Sequence, residues 1–585
     1  MYRDDGTMTE EPENGHSRRV IEAIERAEEV DDTIPFQARA NNRPRLLIEN
    51  ADPDRTVASL RDILSAAGGL FDRGVPVRLV HDQIQGGTVA QIMTPELLIL
   101  FAHSVCRPYV LKAKSDGTIE EKNARLPRSF AVMYLEWRGA WNLPPLNGIA
   151  SAPMLTDSGA VHSTEGYDAE TGMWRENVPA LSGLIPESPT NSDAAAALQL
   201  IRESFKTFCF ADAETRFDPT SGCEVVDIDK PPGRDESGFL AALLTAVCRP
   251  SLRLAPGVLL RAAPMSGAGA GKGLLARCIS IVAFGREPHA VTGGTVSEEL
   301  EKRLAAELME GSPVLFLDNL NNRAFKSDLL ASAITERPAR VRVLGKSQMV
   351  PLNATSFVVL TGNGLSVCED LARRFISVTF DPRTEDPEAR RFTNDIRVDV
   401  IRRRTEYLVA VLTIWRWGRQ RNNLNPGRAL GSFEHWCSWV RDPLLALGCH
   451  DPAERVSEAK ERDNRRQTIA EFFSLWWDRH GDRATAIRDL DDGVCHIIDP
   501  QGRGRQYLSS QLEKLTGTRM AGFVLSRQPA AGKWGAATYA LTKTGGAQEH
   551  RDHRGHSESA QAAVQTDAPC APYPSAQLYH SRENP

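Results

Sequence analysis

The chain has 585 residues, 41% of them hydrophobic and 25% charged, with a formal net charge of −6; that makes room for about two to four globular domains. Ten cysteines without a C-x-x-C pair point to neither a zinc site nor a disulfide framework. The polar, acidic start excludes a signal peptide, and no apolar run reaches the ~18 residues of a membrane span, so a cytoplasmic protein is expected; mild overall acidity leaves room for local nucleic-acid footprints.

Residues 1–44 are rich in charge and poor in large apolar groups, which reads as a disordered leader with one short helix over Arg18–Val30. Residues 45–185 read as an N-terminal α/β domain. Arg45–Ile48 and Val75–Val80 have strand character, and Thr56–Gly68 and Thr94–Cys106 have helical periodicity. Asp52 and Asp54 raise the question of a polymerase-type carboxylate pair, but D-P-D is an ordinary turn and nothing nearby resembles a metal site. Gly166–Gly172, GYDAETG, reads as a structural hairpin. Residues 186–257 form a helical layer, with helices over Ser192–Cys209 and Gly238–Arg249.

Residues 258–420 hold the stretch that carries chemistry. Val258 to Cys278 reads VLLRAAPMSGAGAGKGLLARC: a short apolar strand, a glycine-rich turn and a helix. The turn is Ser266, Gly267, Ala268, Gly269, Ala270, Gly271, Lys272 and Gly273, and Leu274 opens the helical pattern. Glycines let the backbone aim its N–H groups at a phosphate, the helix N-terminus adds positive partial charge, and Lys272 reaches the β- and γ-phosphates of ATP. Ser266 stands in for the usual first glycine, and Gly273 replaces the hydroxyl residue that ligates Mg²⁺.

Downstream, Pro313–Asp318 is an apolar strand ending in an acid, placed to hold Mg²⁺ through water. Ser356–Thr361 is a second such strand, and Asn363 after it offers an amide to orient an attacking water. Arg373 and Arg374 precede a third strand, Ile376–Phe380, and suit a finger reaching a neighbouring subunit's ATP. Arg340–Val350 alternates on both sides of Gly345-Lys346-Ser347, a hairpin whose basic tip, Lys346, suits the phosphates of single-stranded DNA. Asn394–Arg419 reads as an arginine-rich helical lid.

Residues 421–480 read as a helical connector in which Trp436, Trp439, Trp476 and Trp477 fall at helical spacings as core residues. Residues 481–545 spell helix, helix, strand, strand over Ala484–Ile498, Arg505–Leu515, Arg519–Arg527 and Lys533–Lys543, the order of a winged helix. Arg505–Leu515 is its recognition helix and Gln528–Gly532 its wing tip. Arg503, Arg505, Lys514, Arg519, Arg527, Lys533 and Lys543 supply charge for duplex DNA phosphates. Residues 546–585 read as a disordered tail.

The series AAPMSGAGAGKGLL, VLFLDN, RVRVLGKSQM, VVLTGNG and DLARRF resembles an AAA+ ATPase of the superfamily 3 and MCM-like helicases of phages and integrated mobile elements. The likeness extends to GYDAETG upstream and to GSFEHWCSWVRDPLLALGCHDP downstream. It implies an AAA+ P-loop core, Lys272 on phosphates, Asp318 on Mg²⁺, Asn363 as sensor and Arg373 or Arg374 as finger. It also implies an ATP-driven ring, a homo-hexamer, translocating on DNA. Asn319 departs from the pattern by standing where many relatives put a glutamate base; Glu299 or Glu301 are substitutes to consider. Two rivals stand beside the helicase: a nucleotide-dependent switch or helicase loader, and a primase-helicase with polymerase chemistry in residues 45–155.

Overall fold

Val258–Leu260, Leu315–Leu317 and Val358–Leu360 are continuous apolar triplets. Continuous rather than alternating apolarity belongs to strands buried on both faces, as in parallel sheets. The computed structural model describes residues 43–83, 86–219, 223–262, 269–292, 297–321, 324–343, 345, 348–384, 386–390, 392, 394–421, 424–454, 464–528 and 537–544. It places the triplets in one five-stranded sheet made of β1 (Gly257–Ala262), β2 (Ala290–Thr292), β3 (Val314–Asp318), β4 (Phe357–Asn363) and β5 (Phe375–Phe380). The order is β2-β3-β4-β1-β5, and every pairing is parallel. Ala262 pairs with Asn363 and Leu317 with Leu360, so the strands that run into the glycine turn, Asp318 and Asn363 all end on one edge.

Parallel neighbours need crossovers, and here these include α1 (Lys272–Phe284) and α2 (Ser297–Glu310). Helix Arg234–Cys248 packs on β5 and is buried from Asp235 to Cys248, as its apolar residues on every face require. Trp436 and Trp439 are buried beside it in the core; Trp436 Nε1 donates to Thr245 Oγ1 at 2.7 Å.

The N-terminal region divides its allegiance. Helices Pro53–Ala67, Pro95–Val105 and Arg128–Glu136 surround their own core of Leu46, Leu60, Leu64, Leu98 and Tyr134. The antiparallel strands Leu70–Asp72, Pro76–Asp82 and Gly87–Ile92 contribute Phe71, Val77 and Ala90 to the central core instead. Arg73, buried at 3% exposure, secures that junction. It donates to the carbonyls of Leu308 (2.7 Å) and Met309 (2.9 Å) in the last turn of α2, and to Leu146 (2.9 Å). The GYDAETG segment is the expected hairpin, Gly166–Asp168 against Met173–Arg175, with Asp168 accepting from Thr171 Oγ1 across its turn.

The described residues from Asn464 onward form a second compact unit. Helix Asn464–His480, grouped with the connector by sequence, contributes Phe472, Phe473 and Trp476 to this unit's core, alongside Leu512, Leu525 and Leu541. Its antiparallel sheet runs Thr485–Ala486, Thr538–Lys543, Phe523–Gln528, Arg519–Met520. The helix expected over 484–498 is shorter, Asp492–Ile498, because Asp491 caps it, accepting from the Gly493 and Val494 N–H groups at 2.9 and 3.3 Å. The strand expected over 519–527 breaks where Ala521 and Gly522 take φ of 50° and 81°, folding it into a tight hairpin. Arg505–Leu515 is helical over the full range expected. Among the described residues no helix is long and apolar enough to cross a membrane.

Candidate functional site

The glycine turn leaves β1 at the edge where Asp318 and Asn363 also end. Ser266, Gly267 and Ala268 lie outside the described residues. Gly271 has φ 86°, a left-handed conformation that costs other residues energy, and from there the chain enters α1 with Lys272 as its first residue. Gly269, Ala270, Gly271, Lys272 and Gly273 line an open depression of about 430 Å³. The opposite wall is Asp318, Asn319, Asn321, Thr361, Gly362 and Asn363. The structure thus brings Lys272, Asp318 and Asn363 together.

Polar groups on β4 hold this wall in place. The Thr361 hydroxyl donates to Asp318 Oδ1 and accepts from the Asn319 N–H at 3.2 Å. Asn319 has φ 62°, and its side-chain oxygen accepts from Asn321 Nδ2. Asn321 Oδ1 in turn accepts from the Asn363 N–H at 2.7 Å. Asn363 Oδ1 is buried without a hydrogen-bond partner among the described residues. A buried acceptor left without a donor is costly, so this oxygen suits an incoming O–H donor. Burial lowers the pKa of Lys272, while Cys209 and Asp318 pull it upward. Among the described residues lining the depression, Asp318 is the one carboxylate.

A second cavity of about 770 Å³ shares Gly269, Ala270 and Gly271 with the first and continues to Leu274. Phe208, Phe392 and Ile396 give it apolar walls, with Lys206, Arg390, Asp395, Arg397 and Arg403 around them. Arg390 lies 5.0 Å over the Phe392 ring and donates to the Thr207 carbonyl at 2.7 Å. The Cys209 thiol donates to the Ala270 carbonyl at 3.4 Å, tying this wall to the glycine turn. A polyphosphate-sized polar depression joined at the glycine turn to an apolar-walled cavity fits a nucleotide. The described residues do not by themselves make a magnesium site. Position 273 carries no side chain, the Thr361 hydroxyl is committed to Asp318, and one carboxylate remains.

No protein-family model matches the chain, and no curated protein matches it. Among solved structures it is similar to the A form apo structure of the NrS-1 C-terminal region, residues 305–718. The identity is 12% and the TM-score 0.22, over 52% of this chain and 69% of that one. So loose a likeness leaves function to be argued from the side chains.

Arg373 and Arg374 stand apart from the depression. Gly257 pairs with Phe375, and its N–H donates to the Arg374 carbonyl at 2.9 Å, so both arginines lie where β1 begins, not where it ends. Six residues of strand put ~20 Å between those edges. Arg374 Nη1 donates to the Ala331 carbonyl at 2.5 Å, whereas Arg373 is exposed. Glu299 pairs with Arg303 at 3.6 Å, and neither Glu299 nor Glu301 lines the depression.

The basic hairpin is present as Ala339–Arg342 against Met349–Leu352, with Arg340 and Arg342 exposed; its tip residue Lys346 lies outside the described residues. In the C-terminal unit Arg505 and Lys514 are exposed on helix Arg505–Leu515. Arg527 Nη1 pairs with Glu513 of that helix at 3.1 Å, and Lys533 lies outside the described residues. Thr361, Asn321, Phe208, Phe392 and Arg390 were missed from sequence. Thr361, a hydroxyl at the end of the continuous apolar run Val358–Leu360, is a usable signal; Phe208 and Phe392 lie far apart in the chain and carry none.

Proposed function

We propose that this chain is an ATP-driven DNA helicase or translocase of the AAA+ class, serving replication of a mobile genetic element. One observation carries the reading. A glycine turn with Lys272 faces an aspartate and an asparagine from the ends of two further parallel strands, and the asparagine's strand lies between the other two. In this reading Lys272 holds phosphate oxygens in the smaller cavity, and the larger one takes the nucleoside between Phe208 and Phe392. Asn363 orients the attacking water through its buried oxygen. Arg373 acts on the nucleotide of a second copy, because it lies beside the start of β1, the strand whose far end leads to Lys272; that arrangement calls for a ring, a homo-hexamer in the expected form. The Arg340–Leu352 hairpin tracks single-stranded DNA, and the C-terminal unit, read as a winged helix, meets duplex DNA through Arg505 and Lys514.

A second reading, a nucleotide-dependent switch or helicase loader, is favoured by Gly273 and by Asn319, whose amide cannot serve as a base. Strand separation by the purified chain with ATP supports the helicase. Tight ATP binding with neither turnover nor strand separation supports the switch.

A further inference from the structure

This inference rests on the nucleotide reading above. Gly273 leaves empty the position from which a phosphate loop ordinarily offers a hydroxyl to a metal ion. Residues four apart share a helix face, and helical side chains lean toward the N-terminus. Arg277 is four residues beyond Gly273, and its Nη1 donates to the Gly273 carbonyl at 3.3 Å. A Cβ added at 273 would sit 3.1 Å from that Nη1 and 3.8 Å from each carboxylate oxygen of Asp318. The guanidinium and the Asp318 carboxylate therefore border the space that a loop hydroxyl would fill.

Arg277 is held there from its other sides. Its Nε faces Glu287 at 3.4 Å, and its carbon lies 5.3 Å from the centre of the Phe316 ring. A guanidinium keeps its charge at any working pH and presents a planar fork that matches phosphate oxygens. A divalent ion placed in the same niche would meet it as a like charge.

We propose that Arg277 is a nucleotide-binding residue that supplies, beside Lys272, the positive charge a loop-held magnesium ion would give, so that the chain binds a nucleoside triphosphate without a divalent cation. Glu287 is the counter-charge that holds the guanidinium in place before the phosphates arrive.

The test is equilibrium binding of a fluorescent ATP analogue to the full chain, read by anisotropy, in excess magnesium and in excess EDTA. The wild-type affinities in the two buffers agree within about threefold, and Arg277→Ala weakens binding in EDTA about tenfold or more. Arg277→Gln, which keeps the stem against Phe316, shows the same loss and guards against a folding defect. Gly273→Thr, which crowds Arg277 and restores a hydroxyl, makes binding depend on magnesium. Wild-type binding that vanishes in EDTA, or an Arg277→Gln variant indistinguishable from wild type in both buffers, overturns the proposal and leaves the nucleotide reading standing. No wild-type binding in either buffer, or Lys272→Ala binding as wild type does, overturns the nucleotide reading itself.

Discussion

Thr361 does two jobs with one hydroxyl: it donates to Asp318 and accepts from the Asn319 N–H. Thr361→Val keeps the shape and removes both bonds, leaving Asp318 and Asn319 unanchored. In the proposed reading the anchored groups face the reacting end of the phosphates, so turnover of ATP should fall roughly tenfold or more while binding changes little. Single-turnover hydrolysis and equilibrium binding on the same preparation separate the two effects.

Lys272 supplies a second prediction at this scale. Burial holds its pKa below that of an ordinary lysine, against the upward pull of Cys209 and Asp318. The ammonium is charged below its pKa and neutral above, and phosphate binding needs the charged form. Affinity is therefore full on the acid side and falls as pH rises through the lowered pKa, sooner than for an exposed lysine. A titration of nucleotide affinity from about pH 7 to about pH 10 reads this directly, and Lys272→Arg flattens the fall.

Among the elements, the junction between α2 and the N-terminal strands rests on Arg73, which satisfies three carbonyls from a fully buried position. Burial brings its pKa down to about 10. Arg73→Ala leaves those carbonyls without their donor, at about 1–3 kcal/mol for each buried group that water does not reach. Chemical denaturation should show a loss of several kcal/mol or a separate early transition for the N-terminal strands.

This scale also marks what was readable in advance. Continuous apolar triplets announced β1, β3 and β4, because a strand covered on both faces has no polar side to alternate. Arg505–Leu515 was readable from its buried Leu508, Leu512 and Leu515 spaced at three and four. Strand order was not readable: nothing local says that β4 lies between β1 and β3. Arg277 was passed over for the same kind of reason, since its meaning depends on Gly273 and on Asp318 from another strand. The C-terminal breaks at Asp491 and Ala521-Gly522 were legible as cap and turn chemistry but were outweighed by the apolar pattern on either side.

For the whole molecule, the decisive feature is that Lys272 follows one end of β1 and Arg373 lies near the other. If both serve one nucleotide, they come from different copies. Lys272→Ala and Arg373→Ala should each be inactive alone, and an equal mixture should regain part of the turnover, because some boundaries then pair an intact lysine with an intact arginine. Mixing that restores nothing, with both variants assembling normally, would place the arginine outside the reaction.

The central claim is that ATP held at Lys272 drives work on DNA. Steady-state ATP hydrolysis by the wild type and Lys272→Ala, with and without single-stranded DNA, tests it most directly. The account predicts wild-type turnover that DNA stimulates and that the substitution abolishes. Turnover unchanged by Lys272→Ala, or indifferent to DNA at every length and salt concentration tried, would contradict it.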